Sequence, residues 1–147
     1  MTKEIFSEFF ERDLLKLKEE ISAYKSEEDL WIVRKDISNS AGNLCLHLIG
    51  NLNHFIGAAL GKTSYVRERD KEFSDKNIPK TELLDAIEKT ITVVKKSLQQ
   101  LNDMDLDKNF PLEKHGQVIS TQYMLLHLMA HLSYHLGQIN YHRRLLS

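Results

Sequence analysis

One cysteine among 147 residues cannot form an internal disulfide, so a disulfide-stapled scaffold is excluded and Cys45 fits a reducing compartment. No apolar run approaches the roughly 20 residues that a membrane-spanning helix needs. The opening residues, Met1 to Ile5, lack the basic-then-apolar order of a signal peptide, which predicts a cytoplasmic protein. A formal charge of -1 gives no electrostatic basis for binding nucleic acid or an anionic membrane. No glycine-rich phosphate loop, paired-carboxylate constellation or serine-nucleophile pattern occurs, and there is no internal repeat, low-complexity tract or linker. No segment of useful length alternates with the period of a strand. What remains is ordinary globular composition, 41% hydrophobic and 28% charged, long enough to bury a core as one domain over residues 1–147.

Helical periodicity accounts for most of that length. A first helix is predicted from about Lys3 to Tyr24, with Ile5, Phe6, Phe9, Phe10, Leu14, Leu17 and Ile21 at helical spacing. The aromatic cluster Phe6, Phe9 and Phe10 gives it more apolar surface than one core needs, which suits a dimer interface. Leu30 to Val33 form a short apolar plug. The N-cap residue types Ser38, Asn39 and Ser40 open a second helix that runs to about Leu60, where Gly61 is a stop signal. Lys62 to Pro79 reads as a long, charged, irregular connection. A third helix follows Pro79, with Leu84, Ile87, Ile91, Val94, Leu98 and Leu101 on one face. Asp103 to Gly116, containing Pro111, is a second loop, and Ser120 or Thr121 caps a fourth helix to Leu146. Four helices with two long connections predict an all-α bundle.

Seven histidines are a high number for this length. His127, His131 and His135 recur every four residues, drifting only ~80° around a helix axis, and so form one stripe predicted to face inward. His47 and His54 share a face of the second helix with Asn51 between them. Imidazoles that share a metal ion bind it at ~2.0–2.1 Å, so they must lie close together. Residues four apart rise ~6 Å and can converge, whereas residues seven or eight apart rise ~10–12 Å and do not. His47 and His54 are therefore alternatives, as are His127 and His135, while His131 belongs to either pair. The simplest site joins one second-helix histidine to an i, i+4 pair on the fourth. Burying so many imidazoles without partners would cost ~1–3 kcal/mol each.

The remaining polar candidates have plainer readings. Cys45 lies ~200° around the helix from His47, on the packing side, as a buried structural thiol. His142 suits the negative end of the last helix dipole, and His115 has no role. Arg67, Arg69, Arg143 and Arg144 either meet an anionic substrate or are solvated. Tyr134 is either a pocket hydroxyl or a core tyrosine.

The segment from His127 through His131 and His135 to Gln138 resembles the last-helix motif of the DinB/YfiT superfamily, usually His-x-x-x-His-Arg-Gly-Gln. Leu46-His47-Leu48 is similar to that superfamily's second ligand segment. Trp31 and the string Tyr65 to Phe73 resemble an uncharacterised bacterial branch of it. The resemblance implies a four-helix bundle, often dimeric, with His47, His131 and His135 holding zinc, nickel or a similar divalent ion. His54 and His127 would then be supporting or pocket residues. Leu136 stands where the superfamily has arginine, so Arg67, Arg143 or Arg144 would have to replace it. Three protein ligands leave a position open, as in catalytic sites. Characterised relatives join a low-molecular-weight thiol to an electrophile, which implies a thiol transferase with a small-molecule substrate in stress defence or detoxification. The other expectations are a metal-dependent hydrolase and a non-catalytic bundle whose histidines tie two helices together.

Overall fold

A computed structural model describes residues 2–147. It is all-helical, with no strand among the described residues. The helices are α1 (Lys3–Ala23), α2 (Ala41–Leu52), α3 (Arg69–Ser74), α4 (Lys80–Gln99) and α5 (Thr121–Leu146). Short 3-10 turns span Glu27–Trp31 and Asp103–Asp107. α1 packs on α4 and α5, and α2 packs on α5 and α4, so the four long helices enclose a common core. Among the described residues no helix is long and apolar enough to cross a membrane.

Each helix buries most of the stripe its spacing predicts; the exceptions on α1 are Ile5 and Phe9, which are exposed because the predicted arc is wider than the face that meets α4 and α5. On α1, Phe6, Phe10, Leu14, Leu17 and Ile21 are wholly buried, and Thr2 caps the start by accepting from Ile5 N at 3.3 Å. α4 turns Leu83, Ile87, Ile91, Val94 and Leu98 inward; Leu83 lies deeper than Leu84, a shift of one position from the predicted face. α5 starts where Ser120 Oγ accepts from Tyr123 N at 3.0 Å, and buries Leu125, Leu128, Leu132 and Ile139. The apolar plug is real at Leu30, which is fully buried, with Trp31 packed against the core edge.

Three features differ from the periodicity. The second helix is α-helical only to Leu52 and continues as a π-helix over Asn53–Ala58 before Gly61 ends it. Asn53 holds that wider turn, donating from Nδ2 to Ile49 O at 2.8 Å and to Thr90 Oγ1 at 2.9 Å. The connection after Gly61 is not wholly irregular, because it contains α3. His142 lies near the C-terminal end of α5 as its position predicts, but its contacts reach beyond the helix. It is buried, with Nδ1 2.7 Å from the Tyr24 hydroxyl and Nε2 2.8 Å from Ile32 O, and it ties the end of α5 to the chain after α1.

Gly42, in the first turn of α2, leaves room for the Trp31 ring; a Cβ there would stand 2.6 Å from a ring carbon. Backbone on one side and a large ring on the other give the contact little freedom to relax. Gly42→Ala is expected to cost ~1–3 kcal/mol, lowering the urea midpoint and red-shifting Trp31 fluorescence. An unchanged midpoint would show that the ring moves aside freely.

Candidate metal centre

Sequence features at the start of α2 fix the orientation of its histidine. Ser40 Oγ accepts from Asn43 N at 3.2 Å, capping the helix. Asn43 Nδ2 in turn donates to Glu72 O and Asp75 O, both at 2.9 Å, so the start of α2 holds the end of α3. That clamp brings the Glu72 carboxylate over Gly50, one turn beyond His47. A Cβ on Gly50 would overlap Glu72 Oε2. Glycine here makes space for a buried acid rather than flexibility.

His47, His131 and His135 meet between α2 and α5, and their ligand nitrogens all lie within 4.8 Å of one another. His131 Nε2 is central, 3.1 Å from His47 Nε2 and 3.1 Å from His135 Nε2. The three rings stand nearly edge-to-face in each pairing. His47 is buried and the other two are half-buried. Of the alternatives the spacing left open, the structure brings together this set. His127, on the same stripe, has drifted around α5 and is exposed. His54 sits on the π-helical turn with its ring against Phe55, centroids 4.6 Å apart.

The outer nitrogens determine what the inner ones can do. His47 Nδ1 lies 3.0 Å from Glu72 Oε1. A carboxylate only accepts, so Nδ1–H donates and Nε2 of the neutral ring carries a lone pair. Arg67 holds the acid from the other side, donating from Nε to Oε2 at 2.8 Å and from Nη2 to Oε1 at 2.9 Å. His135 Nδ1 lies 2.7 Å from Gln138 Oε1, one turn along α5, which likewise leaves its Nε2 bare. Metal-binding histidines are characteristically supported in this way by an oxygen on the second nitrogen.

Protonation is the competing fate of these rings, and their surroundings oppose it. Burial pushes the His131 pKa down to about 4, helped by His135 and His47 nearby. Burial also lowers that of His47, against the opposing pull of Glu72. One proton on His131 Nε2 could serve only one of the two bare nitrogens facing it, whereas a cation would satisfy all three lone pairs. Two imidazole nitrogens on one zinc-like ion stand about 3 Å apart, given bonds of ~2.0–2.1 Å. The observed 3.1 Å separations fit that spacing. These buried histidines could therefore hold a metal ion. His131 Nδ1 has no partner, and neither does the buried Asn51 Oδ1. With His131 Nε2 bound to an ion, the first is a donor and the second an acceptor. Asn51 makes no hydrogen bond with His47.

A cavity of about 340 Å³ adjoins the cluster, reaching His47, His131 and Asn51. His115 lines it, contrary to the reading that gave this residue no part, and so does His127. His54 does not line it. Cys45 is fully buried, its thiol pKa raised by burial to about 12, so it is an inert packing residue. Tyr134 is neither pocket hydroxyl nor core residue: it is 65% exposed, with its ring edge toward His135. Arg143 is engaged with Glu20 at 2.7 Å, and Arg144 stacks over Tyr141.

Sequence reading missed two supports. Glu72 lies in the segment that periodicity marks as an irregular connection, within the string Tyr65 to Phe73. An acid five residues after Arg67, within a short stretch that also supplies aromatic contacts, was the available signal. Gln138 stood inside the histidine motif, one turn past His135, and its spacing alone marks it as that ring's partner.

The chain is thus an all-helical protein with a three-histidine cluster able to hold one metal ion. It belongs to the family described as "Protein of unknown function (DUF1572)", whose model matches residues 5–147. No curated protein matches the chain.

His131→Ala should abolish stoichiometric zinc or nickel binding, whereas His115→Ala should leave it unchanged; full occupancy in His131→Ala would misplace the site. Glu72→Gln should weaken metal affinity by about 10–100-fold while the fold persists. Metal-free protein should respond to acid in a definite direction. The folded His131 pKa lies below its unfolded value, so the unfolded chain binds the proton first. Stability is therefore expected to fall as pH drops from about 6.5 toward 4, and His131→Gln should flatten that slope in urea titrations.

Proposed function

We propose that the protein is a DinB/YfiT-type four-helix bundle that uses one divalent ion, zinc or nickel, to transfer a low-molecular-weight thiol onto small electrophiles. The observation that carries this reading is the three-histidine cluster with a cavity beside it. The metal-ligand grouping contains no fourth residue among those described, since Glu72 contacts the outer nitrogen of His47.

When bound, such an ion lowers the pKa of a coordinated thiol, so that thiolate is present at neutral pH. The chain's residues prepare that chemistry. Glu72 and Gln138 keep the Nε2 lone pairs of His47 and His135 turned inward, and burial keeps His131 unprotonated. Phe55 and Phe110 wall the cavity and reduce its contact with water. In the transfer the S–H bond gives its proton to solvent. The sulfur pair then forms a bond to the electrophilic carbon, and the carbon–halogen bond breaks with its electrons leaving on halide. Leu136, in place of the superfamily's arginine, packs against the core edge. Arg67 is at the site but is engaged with Glu72, so the arginine's role is not reproduced at that position.

The second reading, a structural ion, is favoured by one observation: the cluster joins α2 to α5. The core, however, is built from leucines, isoleucines and phenylalanines of all four long helices without the histidines. Chelation is therefore expected to lower the melting temperature while helical circular dichroism at 25 °C stays intact; unfolding at 25 °C would favour the structural role. A cytoplasmic two-fold dimer belongs to the same proposal. Of the α1 aromatics read as surplus, Phe6 and Phe10 are wholly buried and only Phe9 is exposed, so the proposed interface draws on the exposed α5 side chains Tyr123, Leu126, Tyr134 and Tyr141.

Cobalt-substituted protein tests the chemistry. Added low-molecular-weight thiols should produce a sulfur-to-metal charge-transfer band in the near ultraviolet. Metal-dependent conjugation of the thiol to a chloro-dinitro-arene should accompany it. His47→Ala and His135→Ala should suppress both signals, and Cys45→Ala should suppress neither. An unchanged cobalt spectrum across a panel of thiols would remove the basis of the transferase reading and make metal-bound hydrolysis the better account.

A further inference from the structure

The cavity beside the histidines has a chemical character of its own. One wall is apolar and aromatic, formed by Phe55, Phe110, Met124 and Leu128. Its rim is cationic: Arg69, the first residue of α3, and Lys114, in the connection before α5, both line it. Neither makes an ion pair among the described residues. Arg69 stacks over Phe73 instead, 5.4 Å from the ring centroid. Arg67, deeper in, already has its carboxylate in Glu72.

His127, also on the cavity lining, has its pKa lowered first by partial burial of the ring and then by Lys114 and His115. Glu113 is the one acid at the rim besides the cations, and it is exposed. The protein as a whole is slightly acidic, with a formal charge of -1, so this concentration of positive charge is local and is not a reflection of composition. Cations without an ion pair that line a concave, partly apolar site attract an anion whose body can displace water from the aromatic wall.

We propose that this cavity takes a small amphipathic carboxylate. Its apolar body lies against Phe55 and Phe110, its carboxylate sits between Arg69 and Lys114, and its other end points toward the three histidines. The inference names the substrate class of the proposed metal site and rests on that reading only for what meets the inner end. The carboxylate subsite itself uses no metal ligand. A cavity of about 340 Å³ suits a molecule of roughly a dozen heavy atoms, near the lower end of small-molecule sites.

The test compares 3-phenylpropionate with 3-phenylpropanol, which share a body and differ in charge, by calorimetric titration of the full chain. Each titration is run with zinc bound and again after chelation, and zinc content is measured in every sample. The carboxylate is expected to bind about tenfold tighter than the alcohol in both states. Exchanging both rim cations, Arg69→Glu with Lys114→Glu, should erase that preference while leaving alcohol affinity, zinc content and helical dichroism as in the parent. Phe55→Ala should weaken both ligands together. Equal affinities for the two ligands in the parent protein would overturn the proposal. So would a preference that survives the double exchange but disappears on chelation, because the carboxylate would then be a metal ligand only. A preference retained by a protein that binds no zinc in any sample would uphold the carboxylate subsite and sink the metal reading, so the two failures are separable.

Discussion

The buried carboxylate of Glu72 is the constraint on which the rest of the site depends. Placed away from water, it requires donors on both sides, and Arg67 and His47 Nδ1–H provide them. Fixing the proton of His47 on Nδ1 leaves Nε2 as a bare acceptor facing two more imidazoles. The acid can stand there because Gly50 has no side chain and because Asn43 grips the backbone of α3. Thus a glycine, an asparagine, an arginine and a glutamate from separate stretches act together on one imidazole nitrogen. Removing the acid would leave Arg67 as an uncompensated buried charge beside His47, a larger disturbance than the loss of one hydrogen bond.

Much of this was legible in the sequence, and the reasons are physical. Long amphipathic helices declare themselves because burial of Phe6, Phe10, Leu14 and their counterparts imposes the 3.6-residue period over many turns. The pair His131 and His135 was legible for the same reason, since i, i+4 positions converge on any helix. His47 against His54 was not decidable from spacing; superfamily resemblance indicated His47, and the structure places it in the cluster while the π-helical turn carries His54 elsewhere. Periodicity cannot reveal α3, whose six residues are too short to show a repeat. Nor can it reveal the Glu72 contact, which spans 25 residues of sequence and depends on tertiary packing. The place of His142 near the end of α5 was legible because it is a local property, whereas its burial against Tyr24 is a long-range one that spacing does not show.

Two halves of the molecule play different parts. The ends of α1 and α5 are tied by Tyr24, His142, Glu20, Asn140 and Arg143, a polar network remote from any metal chemistry that secures the helix register. At the middle of α5 the same helix presents His131 and His135 to α2. Because Leu128, Leu132 and Ile139 fix the rotation of α5 in the core, the two rings are held in position by packing before any ligand arrives. Preorganisation of this kind suits a site that binds an ion and keeps a neighbouring cavity open, and the cationic rim of that cavity then selects what enters.

X-ray absorption at the metal edge of zinc-loaded protein, purified without an affinity tag, tests this account most directly. Three imidazoles, counted by their outer-ring scattering, and one or more oxygen scatterers at about 2.0–2.1 Å are predicted, with the imidazole count falling in His131→Ala. A sulfur scatterer in thiol-free buffer, four imidazoles, or a protein that retains no stoichiometric metal would contradict it.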